Sequence, residues 1–284
     1  MGNHRTRVLF GLMLAAILVG AMYLDWRLEQ LIPRGAIVLG ITVLLVSTGT
    51  GEVLKLARSA GGNPSSLWTI LPSTAIPVLL WLVNIPDGKM DGGMLVPVAL
   101  AFVILVPPFV RESFRNDLSK ALPNIAAAVL SVLYVGFLGS FLIQIRMQFG
   151  MPALTLFVVS AKVTDIGAYY VGRQIGRTKL APRISPKKTV EGAIGGMILG
   201  IAVSVALALI FGLLSLGTAV LFGLIVSIAS QLGDLSESVL KRSADLKDSA
   251  NMPGFGGVLD MLDSVLFSAP LAYLLLLLFG VHPV

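Results

Sequence analysis

The 284-residue chain contains no cysteine, which excludes disulfides, thiol catalysis and cysteine-based zinc sites. Its two histidines, His4 and His282, sit at the two ends, so neither a histidine triad nor a histidine metal cluster is available. Charge is scarce as well. Asp, Glu, Lys and Arg make up 13% of the residues, against about 25% in an ordinary soluble domain. No internal repeat is visible of the kind that marks many transporters. The order of glycines, lysine and hydroxyl that forms a Walker A loop is absent too. What fills the chain instead is hydrocarbon: 56% hydrophobic residues and a mean hydropathy of +0.89. This composition predicts an all-α polytopic membrane protein.

Nine apolar spans are expected, at about 7–24, 35–51, 67–84, 93–110, 121–143, 152–172, 192–214, 216–235 and 260–280. The run from Val8 to Leu24 is longer than the apolar core of a signal peptide and is expected to remain as a span. Of the 21 Lys and Arg residues, sixteen fall on one set of alternate connections and four on the other, with Lys162 inside a span. The positive-inside rule then places the N-terminus in the cytoplasm and, with nine spans, the C-terminus outside. The net charge of +6 suits cytoplasmic loops facing anionic lipid or an anionic substrate. Two regions are expected: a hydrophobic N-terminal region, 1–150, and a catalytic C-terminal region, 151–284.

The few charges are gathered. Residues 233–263 hold six of the 15 acidic residues, Asp234, Glu237, Asp245, Asp248, Asp260 and Asp263, together with Lys241, Arg242 and Lys247. Charges near a bilayer are expensive to desolvate and need partners or a function. Asp234 and Glu237 stand at i, i+3, as do Asp260 and Asp263, so each pair shares a helical face. Carboxylates offer hard oxygen ligands for Mg²⁺, and Lys and Arg offer charge for phosphates. The segment therefore reads as a site for metal-bound phosphate, facing the cytoplasm where nucleotides are. Pro253 with Gly254, Gly256 and Gly257 demands a turn between its helices.

Two upstream stretches add to it. Lys162 and Asp165 share a helix face inside the sixth span, where such a pair lines a polar interior or neutralises itself. Gly167, Gly172 and Gly176 thin the same helix for close packing, and Tyr169 and Tyr170 read as interfacial aromatics. The loop from Arg173 to Glu191 carries Lys187, Lys188 and Thr189 just before a glycine-rich helix start. That combination reads either as an anion site at a helix N-terminus or as a basic anchor with Thr189 as N-cap.

These stretches resemble a known family. Ser238 to Asp263, S-V-L-K-R-x4-K-D-S-x3-P-G-x-G-G-x-x-D-x-x-D, is similar to the signature of the phosphatidate cytidylyltransferases, or CDP-diacylglycerol synthases. Asp165-x-Gly167-Ala168-Tyr169 with Gly172, the run from Ser185 to Gly192, and Gly233-Asp234-x-x-Glu237-Ser238 resemble three further blocks of that family. The resemblance covers about residues 160–265. It implies Mg²⁺-dependent conversion of CTP and phosphatidate to CDP-diacylglycerol and pyrophosphate, with two metal ions a further expectation. It also implies roles. Asp234, Asp260 and Asp263 are expected as metal ligands, with Glu237 and Asp165 as nearby candidates. Asp234, Asp260, Asp263, Lys241 and Lys247 are expected as the catalytic set. Lys187, Lys188, Thr189, Arg242, Gly256 and Gly257 are expected to hold substrate phosphates. Membrane lipids are expected partners, a homodimer is a further expectation, and nucleic acid is not expected. The expected location is a bacterial inner membrane.

Two positions depart from the family pattern. Phe255 stands where the family usually has His, and Met261 where it usually has Arg. No imidazole can act at the first, and a bidentate phosphate partner is missing at the second. The alternatives are a CTP-dependent kinase acting on a polyprenol-type lipid, and a membrane scaffold or transporter without catalysis.

Overall fold

The structure is a computed structural model and describes residues 19–84, 95–246 and 256–282. It is helical, with one small hairpin, as expected of an all-α polytopic membrane protein. After a helical stretch over 19–27 come α1 (Ala36–Ser59), α2 (Leu67–Val83), α3 (Leu95–Ser113) and α4 (Ala121–Ser131). A π-helical segment, Val132–Phe137, leads into α5 (Leu138–Ile175). The hairpin of β1 (Lys179–Ala181) and β2 (Ser185–Thr189) precedes α6 (Val190–Ile210), α7 (Leu216–Ser243) and α8 (Leu259–Leu278). Among the described residues, six helical runs are long and apolar enough to cross a membrane, and α2, with 17 residues, is shorter. Most of the first expected span lies outside the described residues; each of the other eight overlaps a helix.

Helices form here because a backbone in hydrocarbon must satisfy its own polar groups, and that requirement overrides local breakers. Pro72 and Pro77 lie inside α2, Pro107 and Pro108 inside α3, and Pro270 inside α8. The break expected between the spans at 121–143 and 152–172 is corrected here. Arg146 to Phe149 are helical and the run is interrupted at Gly150, whose φ of 82° suits glycine, just before Pro152.

The chain divides into two compact units. The first holds residues 1–147 and 243–261. An apolar cluster of Ile76, Leu80, Ile104 and Val132 forms part of its core. A side chain at Gly136 would press on the backbone of Ser73, 2.8 Å away, so the π-helical segment sits close against α2. Polar ties brace both ends. The buried Asp25 accepts hydrogen bonds from the N–H groups of Ile37 (3.0 Å) and Val38 (3.3 Å) at the start of α1, and from Arg146 Nε at 2.6 Å. Arg146 also reaches Glu29 at 3.2 Å. Elsewhere, Asn124 accepts from the Asn63 N–H at 2.7 Å and donates to the buried Glu112 at 3.1 Å. The N-terminal unit buries its own carboxylates and an arginine.

The second unit holds residues 148–242 and 262–284. Its helices approach closely through small residues. A Cβ at Gly192 would lie 2.7 Å from the Ala168 carbonyl oxygen, so α6 meets α5 backbone to backbone. Thr164 and Ser227 hydroxyls bond at 2.9 Å between α5 and α7. Phe149 and Tyr273 meet edge to face, with centroids 5.4 Å apart.

Candidate active site

The stretch expected as a loop before α6 is a hairpin, with Lys179 opposite Thr189 and Ala181 opposite Ser185. Its return strand, S-P-K-K-T, delivers Lys187 and Lys188 to the start of α6. Thr189 is the N-cap: its backbone is extended and its hydroxyl oxygen accepts from the Gly192 N–H at 3.2 Å. Glu191 accepts from the N–H groups of Arg177 and Thr178, both at 3.0 Å, which ties the end of α5 to the start of α6.

The second unit contains a cavity of about 430 Å³ in this region. Asp165, Tyr169, Arg173, Lys187, Lys188 and Asp234 are among the residues that line it, with Thr189 and Gln231 beside them. That volume is in the usual range for a small-molecule site. Gln231 donates its amide N–H to the Ala193 carbonyl at 3.0 Å, which fixes the orientation of its side chain. Tyr169, expected as an interfacial aromatic, is largely exposed and also lines this cavity.

Asp234, Glu237 and Asp263 converge. Each offers a carboxylate oxygen within 4.8 Å of the others, and the described residues hold this one group of three. Asp234 and Glu237 come from successive turns of α7, and Asp263 from the second turn of α8. The helices allow this because Gly233 lies directly against the Asp263 carbonyl oxygen, leaving no room for a side chain. Glu237 and Asp263 are buried and Asp234 is partly exposed.

Asp234, Glu237 and Asp165 each have a lysine partner. Lys188 Nζ lies 2.7 Å from Asp234, Lys241 pairs with Glu237, and Lys162 Nζ lies 3.6 Å from Asp165. Lys162 also donates to Ser264 Oγ at 2.8 Å, while the Ser264 N–H donates to Asp263. Ser230 bonds Asp165 at 3.1 Å. Three buried or half-buried carboxylate oxygens at this spacing are a hard donor set that suits a divalent cation. An ion held there would tip a near-neutral cluster toward positive charge, facing a cavity that already carries Arg173, Lys187 and Lys188.

The expected residues fall into four groups. Asp234 and Asp263 are brought together with Glu237, which the sequence ranks behind them; Asp165, Lys187, Lys188 and Thr189 line the adjacent cavity. Lys241 is buried against Glu237, and Arg242 is exposed with Nε donating to the Ile184 carbonyl at 3.2 Å, so it braces the hairpin. Asp260, Gly256 and Gly257 belong to the first unit, where Gly256 adopts a φ of 79°. Lys247, Phe255 and the Pro253–Gly254 turn lie outside the described residues. Ser230, Gln231 and Ser264 were missed. Their signal is small: polar residues one turn from, or next to, an acid on an otherwise apolar helix.

The profile of the Cytidylyltransferase family matches residues 5–279 of the chain. A phosphatidate cytidylyltransferase of Bacillus subtilis (strain 168) is 35% identical over 257 residues, covering 85% of this chain and 90% of that protein. The phosphatidate cytidylyltransferase of Thermotoga maritima is 38% identical over 166 residues, covering 56% of this chain and 62% of its own length. That of Synechocystis sp. is 31% identical over 269 residues, covering 81% and 85%. A match along nearly the whole chain, joined to a carboxylate and lysine cluster on apolar helices, places this protein in the cytidylyltransferase family.

Proposed function

We propose that the chain transfers a cytidylyl group from CTP to phosphatidate, giving CDP-diacylglycerol and pyrophosphate. The observation that carries this reading is the Asp234, Glu237 and Asp263 cluster in the same unit as a lysine-lined cavity on membrane helices. The family and its phosphatidate cytidylyltransferase relatives support it.

In this reading an oxygen of the lipid phosphate attacks the α-phosphorus of CTP, and the bond from that phosphorus to the pyrophosphate oxygen breaks. The attacking phosphate is already ionised, so no residue need remove a proton. This fits a site whose described part offers carboxylates and lysines and no histidine. Positioning and charge neutralisation carry the rate. Asp234, Glu237 and Asp263 would hold Mg²⁺, with Asp260 and Asp165 as further oxygen donors and room in the proposal for a second ion. A bound ion of this kind polarises phosphoryl oxygens and neutralises developing charge. Lys187, Lys188 and Arg173 bind phosphates at the cavity. Lys188 and Lys241 also hold Asp234 and Glu237 in place. Lys247 is proposed as a further phosphate partner. The site faces the cytoplasm of a bacterial inner membrane, with the N-terminus inside.

The test uses purified protein in detergent with phosphatidate, Mg²⁺ and labelled CTP. Label in the α-phosphate should appear in lipid and label in the γ-phosphate should leave as pyrophosphate. Transfer of the γ-label to lipid would instead identify a kinase, and no transfer of either would sink the enzymatic reading.

A further inference from the structure

Glu52 lies in α1, inside a run apolar enough to cross a membrane. It is 5% exposed. A carboxylate in that position needs hydrogen-bond partners. Its two oxygens accept from two consecutive backbone N–H groups, Oε1 from Val258 at 2.9 Å and Oε2 from Leu259 at 2.8 Å. Both belong to the same compact unit as α1. They lie 206 and 207 residues along the chain, the residue just before α8 and its first residue.

The first N–H groups of a helix lack partners within it, and a side chain just before the helix usually supplies one. Here the three preceding residues are Gly256, Gly257 and Val258, none of which has a side-chain acceptor. Gly256 has a φ of 79°, a conformation open to glycine. The local sequence therefore does little to hold this turn, and Glu52 holds it from α1. Gripping two successive N–H groups fixes the peptide between Val258 and Leu259. Asp260 is the next residue, and Asp263 follows one turn later on the same helix. A negative charge at a helix start also suits the helix dipole.

We propose that Glu52 is a positioning residue for the transfer reaction: its bidentate cap on Val258 and Leu259 sets the direction in which α8 presents Asp260 and Asp263. This rests on the reading of the chain as a metal-dependent cytidylyltransferase. Glu52 does not touch the reacting groups in this role. Its loss should act on metal use more than on insertion.

The experiment compares wild type with Glu52→Gln and Glu52→Ala in the full-length protein. Two quantities are read: the Mg²⁺ concentration giving half-maximal CDP-lipid formation, and hydrogen–deuterium exchange of peptides covering residues 256–262. Glu52→Gln keeps the reach but loses the charge and one acceptor. It should raise the Mg²⁺ requirement about tenfold, the scale of one lost charge-assisted hydrogen bond, and speed exchange. Glu52→Ala should exceed it on both. If the alanine protein fails to insert, the glutamine variant carries the test. Exchange that rises while the Mg²⁺ requirement stays at the wild-type value overturns the positioning role, leaving a cap that only stabilises. Unchanged exchange overturns the cap as well. A wild-type control that forms no CDP-lipid overturns the functional reading itself, and the positioning role falls with it, while exchange still reports on the cap.

Discussion

At the scale of single residues, the carboxylates near the membrane are the expensive elements, and those of the cluster have partners. Glu237 is fully buried and pairs with Lys241, and Asp263 takes the Ser264 N–H. Asp263→Asn and Glu237→Gln keep shape but remove ligand charge. Each should lower activity by more than tenfold, roughly 1.4 kcal/mol of transition-state stabilisation, with the protein still inserted. Mg²⁺ titration of each variant checks this; full activity at ordinary Mg²⁺ would remove that residue from the ligand set. Lys241→Ala should weaken CTP use, because it loosens Glu237 as well as removing a positive charge. The kcat/KM for CTP is the measurement, and a wild-type value would reduce Lys241 to a topology signal. Met261 is partly buried in the first turn of α8, and its N–H bonds the Val258 carbonyl at 3.0 Å. Met261→Arg is expected to leave activity unchanged or raise it modestly.

At the scale of elements, the site depends on how closely helices approach. Gly233 faces the Asp263 carbonyl, and a Cβ there would also come within 3.0 Å of Phe267 Cβ. Gly233→Ala should push α7 from α8 at the residue that carries one of the three carboxylates. A marked loss of activity is expected, with retained expression in the membrane. Wild-type CDP-lipid formation by this variant would show that the two helices can separate without cost to the site. In the other unit, Arg146 is 1% exposed and bonded to the buried Asp25. Arg146→Met removes the guanidinium paired with the buried Asp25, leaving it the N–H groups of Ile37 and Val38, and is expected to cost about 3 kcal/mol. A thermal-unfolding midpoint in detergent near the wild-type value would contradict this. The double variant Arg146→Met with Asp25→Leu should recover part of the loss, since no lone charge then remains buried.

At the scale of the whole molecule, sixteen of the 21 basic residues lie on one side of the expected topology. A reporter fused after Val284 should therefore report the outside, and one placed in the hairpin between β1 and β2 the cytoplasm. A cytoplasmic C-terminus would mean that the number of spans is not odd. Membrane class, the positions of most described helices and the gathering of acidic and basic residues were legible in the sequence, because they depend on local composition. Hydrocarbon runs form helices whatever surrounds them, and Asp234 with Glu237 share a face by spacing alone. Helix register along α7, however, says nothing of which α8 aspartate comes to meet it. That was decided by the contact at Gly233, and it joins Asp263 to the pair. The hairpin before α6 was likewise hidden, since two short basic strands stabilise each other only once paired. Glu52 could be seen as a charge within an apolar helix, but its partners lie more than 200 residues away along the chain. Sequence by itself determined that this protein lives in a membrane and gathers acidic and basic residues late in the chain. Tertiary structure alone decided which carboxylates converge and what holds their helices, because desolvated charges find partners through space and not along the chain.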